Sequence, residues 1–83
     1  MTSLERQVLD VLRAGLAHRT GLPAETVGAE TVLLDTGLQS IDAVLLCAEV
    51  EETFGREVDL EMIFDHETLG SLAAALAERF GTA

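Results

Sequence analysis

The chain has 83 residues, 48% of them hydrophobic, and a net charge of −10. That is enough for one small folded domain and too apolar for a disordered tail. So acidic a surface repels nucleic-acid backbones, and no apolar run approaches membrane-spanning length. The single cysteine, Cys47, excludes an internal disulfide and a cysteine-based metal cluster.

Thr2-Ser3-Leu4-Glu5 has the pattern of a capping box at a helix start. Leu4, Val8, Leu12 and Leu16, joined by Val11, then repeat at helical spacing and predict a helix over residues 3–18. Gly21 and Pro23 end it. Residues 20–38 contain Gly21, Pro23, Gly28 and Gly37, which argue against continuous helix. Leu22, Val27, Val32, Leu33, Leu34 and Leu38 nevertheless need burial. An ordered loop is expected there, packed on the core, with a short helical turn near 24–27. A second helix is predicted over residues 40–54, stopped by Gly55. A short helix follows over 60–64, and a last one over 69–80 with Thr68 as its cap. The expected fold is all-α, a small four-helix bundle of three main helices and one short one, in a single domain over residues 1–83.

The second helix carries two apolar stripes. Advancing about 100° per residue from Ser40 puts Ala43, Leu46, Cys47, Val50 and Phe54 in one sector. Ile41, Val44, Leu45 and Ala48 fall in another, flanked by Asp42, Glu49, Glu51 and Glu52. A helix in a small bundle needs one buried stripe. Either the long loop covers the second, or it is an acid-rimmed docking strip for a partner. The charge distribution bears on this. Residues 25–67 hold twelve acids against Arg56 alone, a field that steers basic protein surfaces toward it.

Ser40 opens that helix. A serine there is first of all a favoured N-cap. The same place also suits an anion on its oxygen, because helix-start N–H groups are unpaired and the dipole is positive. The surrounding stretch, Leu34-Asp-Thr-Gly-Leu-Gln-Ser-Ile-Asp-Ala-Val-Leu-Leu, resembles the signature of the phosphopantetheine-binding carrier proteins, the acyl and peptidyl carriers. Their usual core motif is Gly-x-Asp-Ser-Leu. The resemblance extends over the first helix, the long loop, the Glu51-Glu52-Thr53-Phe54-Gly55 helix end and the passage Ile63 to Leu69.

The resemblance implies that a phosphopantetheinyl transferase attaches a 4'-phosphopantetheine arm, taken from coenzyme A, to Ser40. The arm's thiol then carries an acyl or aminoacyl group as a thioester. The protein itself catalyses nothing and has no catalytic residue. Its other implied partners are an acyltransferase or adenylating loading enzyme and a downstream synthase. The implied docking residues are Gln39, Ile41, Asp42, Val44, Leu45, Ala48, Glu49 and Glu52. The passage Phe64 to Leu69 looks more like carriers of polyketide and nonribosomal peptide assembly than like the primary fatty-acid carrier. Two positions depart from the motif: Gln39 stands for aspartate and Ile41 for leucine. Leu45 stands where many fatty-acid carriers have glutamate.

Other chemistry has less support. His18 and His66 have no ligand-spaced neighbours, so solvated or capping roles are expected and no metal site is. Asp59, Glu61 and Asp65 lack the spacing of a calcium loop. No Ser-His-Asp arrangement is evident, which disfavours a small hydrolase. The competing reading is an acidic protein-interaction module with no arm. With Met1 at its start and no leader pattern, the chain is expected to be a discrete, cytoplasmic monomer.

Overall fold

The computed structural model of the chain describes residues 2–81. Four α-helices follow in order: α1 (Ser3–Thr20), α2 (Ser40–Phe54), α3 (Leu60–Asp65) and α4 (Leu69–Gly81). Two 3-10 turns, Ala24–Thr26 and Leu33–Thr36, lie in the loop between α1 and α2. Among the described residues there is no strand, only an isolated antiparallel bridge between Val32 and Thr68. The all-α bundle expected from the periodicity is the fold observed.

Local chemistry sets the helix ends. The Thr2 hydroxyl accepts a hydrogen bond from Glu5 N–H at 3.0 Å, the hydroxyl half of the expected box. α1 runs on through Thr20, two residues past the expected end, and closes at Gly21, whose N–H donates to Ala17 O at 2.9 Å. α2 closes the same way at Gly55, onto Glu51 O at 2.8 Å. α3 begins with the Asp59 carboxylate accepting from Glu61 N–H. The Thr68 hydroxyl takes Ser71 N–H at 3.2 Å at the start of α4.

One core joins the helices. Val8, Leu12 and Leu16 of α1 meet Leu46 and Val50 of α2 and Leu69, Leu72 and Leu76 of α4, each at most 1% exposed. Val27 and Leu33 bring the loop into this core, as expected. Gly15 is the close-approach point of α1 and α2, facing Leu46 and Glu49. The last turn of α4 lies beside the first turn of α1, with Gly81 next to Leu4. The end of α2 reaches the same region: the Phe54 and Phe80 rings are 5.3 Å apart. Arg56 ties this end together by donating to Phe80 O at 3.0 Å.

Leu22 and Leu34 do not bury as expected; they are 38% and 75% exposed. Leu33 and Leu34 are neighbours in a 3-10 turn and cannot both face the core. Leu33 does. The loop therefore runs over the core without covering the outer stripe of α2.

Candidate functional site

The approach to Ser40 is a sequence of tight local decisions. Gly37 takes a left-handed backbone, φ 83° and ψ 13°, which glycine tolerates without a side-chain penalty. Leu38 then turns inward and packs against the core. Gln39 returns to extended geometry, φ −96° and ψ 166°, and is the residue that caps α2. Ser40 is thus the first helical residue rather than its cap. The capping reading of Ser40 is corrected: the Gln39 carbonyl accepts from Ala43 N–H at 3.0 Å, and the Asp42 carboxylate reaches back to Gln39 N–H at 3.2 Å. Ser40 keeps its hydroxyl out of this network and exposed.

The first-turn amides of Ser40 and Ile41 have no acceptor among the described residues. They sit at the positive end of a 15-residue helix. A phosphate ester on the Ser40 oxygen fits this place, since it would meet open amides and a favourable dipole. The nearest acid, Asp42, is engaged with the Gln39 amide.

The outer stripe beside Ser40 is open. Ile41, Val44 and Leu45 are 60%, 45% and 43% exposed, and Ala48 is exposed with them. Gln39 and Glu52 are also exposed, and Asp42 is partly buried. Glu49 behaves differently from the other expected docking residues. Its carboxylate pairs with the Arg19 guanidinium of α1, whose side chain is largely buried. Glu49 therefore braces α1 against α2. The sequence offers no signal for this, because the partners are thirty positions apart.

Among the described residues four further large apolar residues are exposed outside the stripe that the periodicity marks: Leu22, Leu34, Leu60 and Phe64. Phe64 of α3 is 53% exposed, and Leu34 of the loop more so. Both lie on segments that flank α2 in the chain. α3 packs on α2.

Among the described residues the remaining titratable groups offer no second site. Cys47 is buried, and burial, with Glu51 and Asp59 nearby, pushes its thiol up to about 11. His66 is a linker: its Nδ1 and the Ser71 hydroxyl share a hydrogen bond at 2.8 Å, joining the end of α3 to the first turn of α4. His18 is exposed. Among the described residues no group of side chains is arranged to hold a metal ion. No helix there is long and apolar enough to cross a membrane.

Comparison with known proteins gives a consistent result. Residues 10–76 match the family described as the phosphopantetheine attachment site. The chain is 36% identical over 58 residues, 70% of its length, to Bacitracin synthase 2 of Bacillus licheniformis. It is 34% identical over 76 residues, 90% of its length, to the Spectinabilin polyketide synthase system protein NorA' of Streptomyces orinoci. It is 30% identical over 78 residues, 94% of its length, to a component of the phenolphthiocerol/phthiocerol polyketide synthase of Mycobacterium tuberculosis. The chain spans only 2% to 4% of the length of these curated relatives.

Proposed function

Because the chain belongs to the phosphopantetheine attachment family, we propose that it is an acyl or aminoacyl carrier whose 4'-phosphopantetheine arm is held on Ser40. The observation that carries this reading is the exposed Ser40 hydroxyl at the open, positive start of α2. When bound, the arm supplies a thiol that holds cargo as a thioester. The chain's own residues do the rest. Gln39 and Asp42 set where α2 begins without engaging the Ser40 hydroxyl. The buried face of α2 keeps that start fixed to the bundle.

The names of the relatives support polyketide or nonribosomal peptide assembly as the setting. In this proposal the cytoplasm is the compartment, and the chain catalyses nothing itself. Its partners are a phosphopantetheinyl transferase, an acyltransferase or adenylating loading enzyme, and a downstream synthase. They are proposed to dock on Gln39, Ile41, Asp42, Val44, Leu45, Ala48 and Glu52. Glu49 serves that surface indirectly, by holding α2 to α1.

Incubation with coenzyme A and a broad-specificity transferase is expected to raise the intact mass by one arm. Ser40→Ala is expected to abolish the shift. Since Ser40 is exposed and is not the cap, this variant should lose no more than about 0.5 kcal/mol of stability. A mass unchanged with several active transferases would favour the arm-free interaction module.

A further inference from the structure

The loop that leads to Ser40 is fastened to the start of α4. Leu33 N–H donates to Glu67 O at 3.0 Å, Leu69 N–H to Thr31 O at 2.9 Å, and Gly70 N–H to Ala29 O at 2.8 Å. These bonds surround the Val32–Thr68 bridge. Leu69 and Gly70 are the first two residues of α4. Loop carbonyls thus take the first two orphan amides of that helix, and the Thr68 hydroxyl takes the third. The start of α4 is closed by the loop, whereas the start of α2 is open.

Gly70 makes the closure possible. A Cβ at this position would lie 2.8 Å from Ala29 O and 2.9 Å from the Ala29 Cβ. The first of these is backbone and is the acceptor of the third bond, so any side chain at position 70 displaces Ala29 and breaks that bond. Beyond Leu33 the bonds of the loop are local. Asp35 N–H donates to Val32 O, the Thr36 hydroxyl to Leu33 O, and Gln39 N–H to Asp42. The stretch 34–39 is therefore held by the ladder at one end, and at the other by α2 and by Leu38 packed on the core.

We propose that this ladder is a latch that fixes how Ser40 is presented to the enzyme that modifies it, with Gly70 as its positioning residue. The proposal rests on the Ser40 reading above. Opening the latch leaves α2 seated through Ala43, Leu46, Cys47 and Val50, none of which belongs to it. It loosens the approach to Ser40 up to Leu38, which stays packed on the core, and, in the same event, residues 67–70 after α3. The two segments that flank α2 in the chain are held or released together.

The test compares the unmodified wild-type chain with Gly70→Val, using a transferase and coenzyme A. Amide exchange is expected to accelerate at Leu33 and Leu69 while Leu46 and Val50 keep their protection. The efficiency of Ser40 modification is expected to fall about fivefold or more, through KM rather than kcat. A Val32→Cys/Thr68→Cys pair then closes the latch covalently. These residues form the non-hydrogen-bonded pair of the bridge, where Cα atoms lie about 4.5 Å apart, within disulfide reach. Oxidised in the Gly70→Val background, the pair is expected to restore KM, and reduction is expected to remove the rescue.

Accelerated exchange with wild-type KM would overturn the latch, as would a KM defect that the cross-link leaves in place. The cross-link in the wild-type background gives an arm that does not depend on Gly70→Val folding. It is expected to be modified at the wild-type rate, and a several-fold slower rate also overturns the proposal. Failure of the Ser40 reading looks different, because the wild-type chain then acquires no arm at all.

Discussion

At the start of α2 two neighbouring residues share the work. Gln39 ends the loop and takes the capping position, and Ser40 is left with no structural bond for its hydroxyl to keep. A serine that capped the helix would lose that role on esterification; Ser40 has none to lose. Glutamine is a weaker cap than aspartate, whose carboxylate satisfies first-turn amides directly. Gln39→Asp is therefore expected to stabilise the domain by about 0.5–1 kcal/mol, seen as a melting temperature raised by roughly 2–8 °C. An unchanged melting temperature would mean that the Gln39 amide already caps as well. The sequence pattern located the helix start but assigned the cap to the wrong residue, because serine outranks glutamine in capping preference. Asp42, three places after Gln39, was the readable sign of the true phase. The pairing of Glu49 with Arg19 left no comparable sign, since only the packing of α1 on α2 brings them together.

At the scale of elements, α2 has two faces with different fates. Ala43, Leu46, Cys47 and Val50 are buried, while Ile41, Val44 and Leu45 stay exposed. Both faces were legible, because a 3.6-residue period separates them in any sequence. Whether the outer face would be covered was not legible. That depended on the loop, and a four-residue 3-10 turn at Leu33–Thr36 has no periodic pattern to read. The ladder to α4 was hidden for a related reason: it is made by backbone groups, which any residues could supply. The open stripe gives an element-scale test. Leu45→Glu removes apolar contact area, and Glu52→Arg reverses a rim charge. Each is expected to lower the efficiency of transfer to or from a partner enzyme about tenfold. Helical circular dichroism should stay at the wild-type level, since neither side chain is buried. If both variants load and unload at wild-type rates, partners do not dock on this face.

At the scale of the whole molecule, stability rests on one small core, about 4–12 kcal/mol for a chain of this length. Its alkaline response is simple to read, because the sequence contains neither lysine nor tyrosine. Cys47 is the internal group that titrates there. Burial raises its thiol from 9.0 to about 11, so the folded state holds this proton more tightly than the unfolded one. Its contribution is fully present below pH 9 and is lost as pH rises through about 11. Urea midpoints are expected to fall across this window by the equivalent of about 2 kcal/mol. Cys47→Ala should start lower, from lost packing, and show a flatter slope. A wild-type midpoint that does not move between pH 9 and 11 would mean that the thiol is wetter than its burial implies. The geometry of the ends has a different consequence. Leu4, Gly81 and the last turn of α2 lie together, and Ser40 begins α2 at its other end, about 21 Å along the helix axis. A chain strung between neighbours through either end would hang this domain as a pendant, with its serine swinging outward and clear of the string.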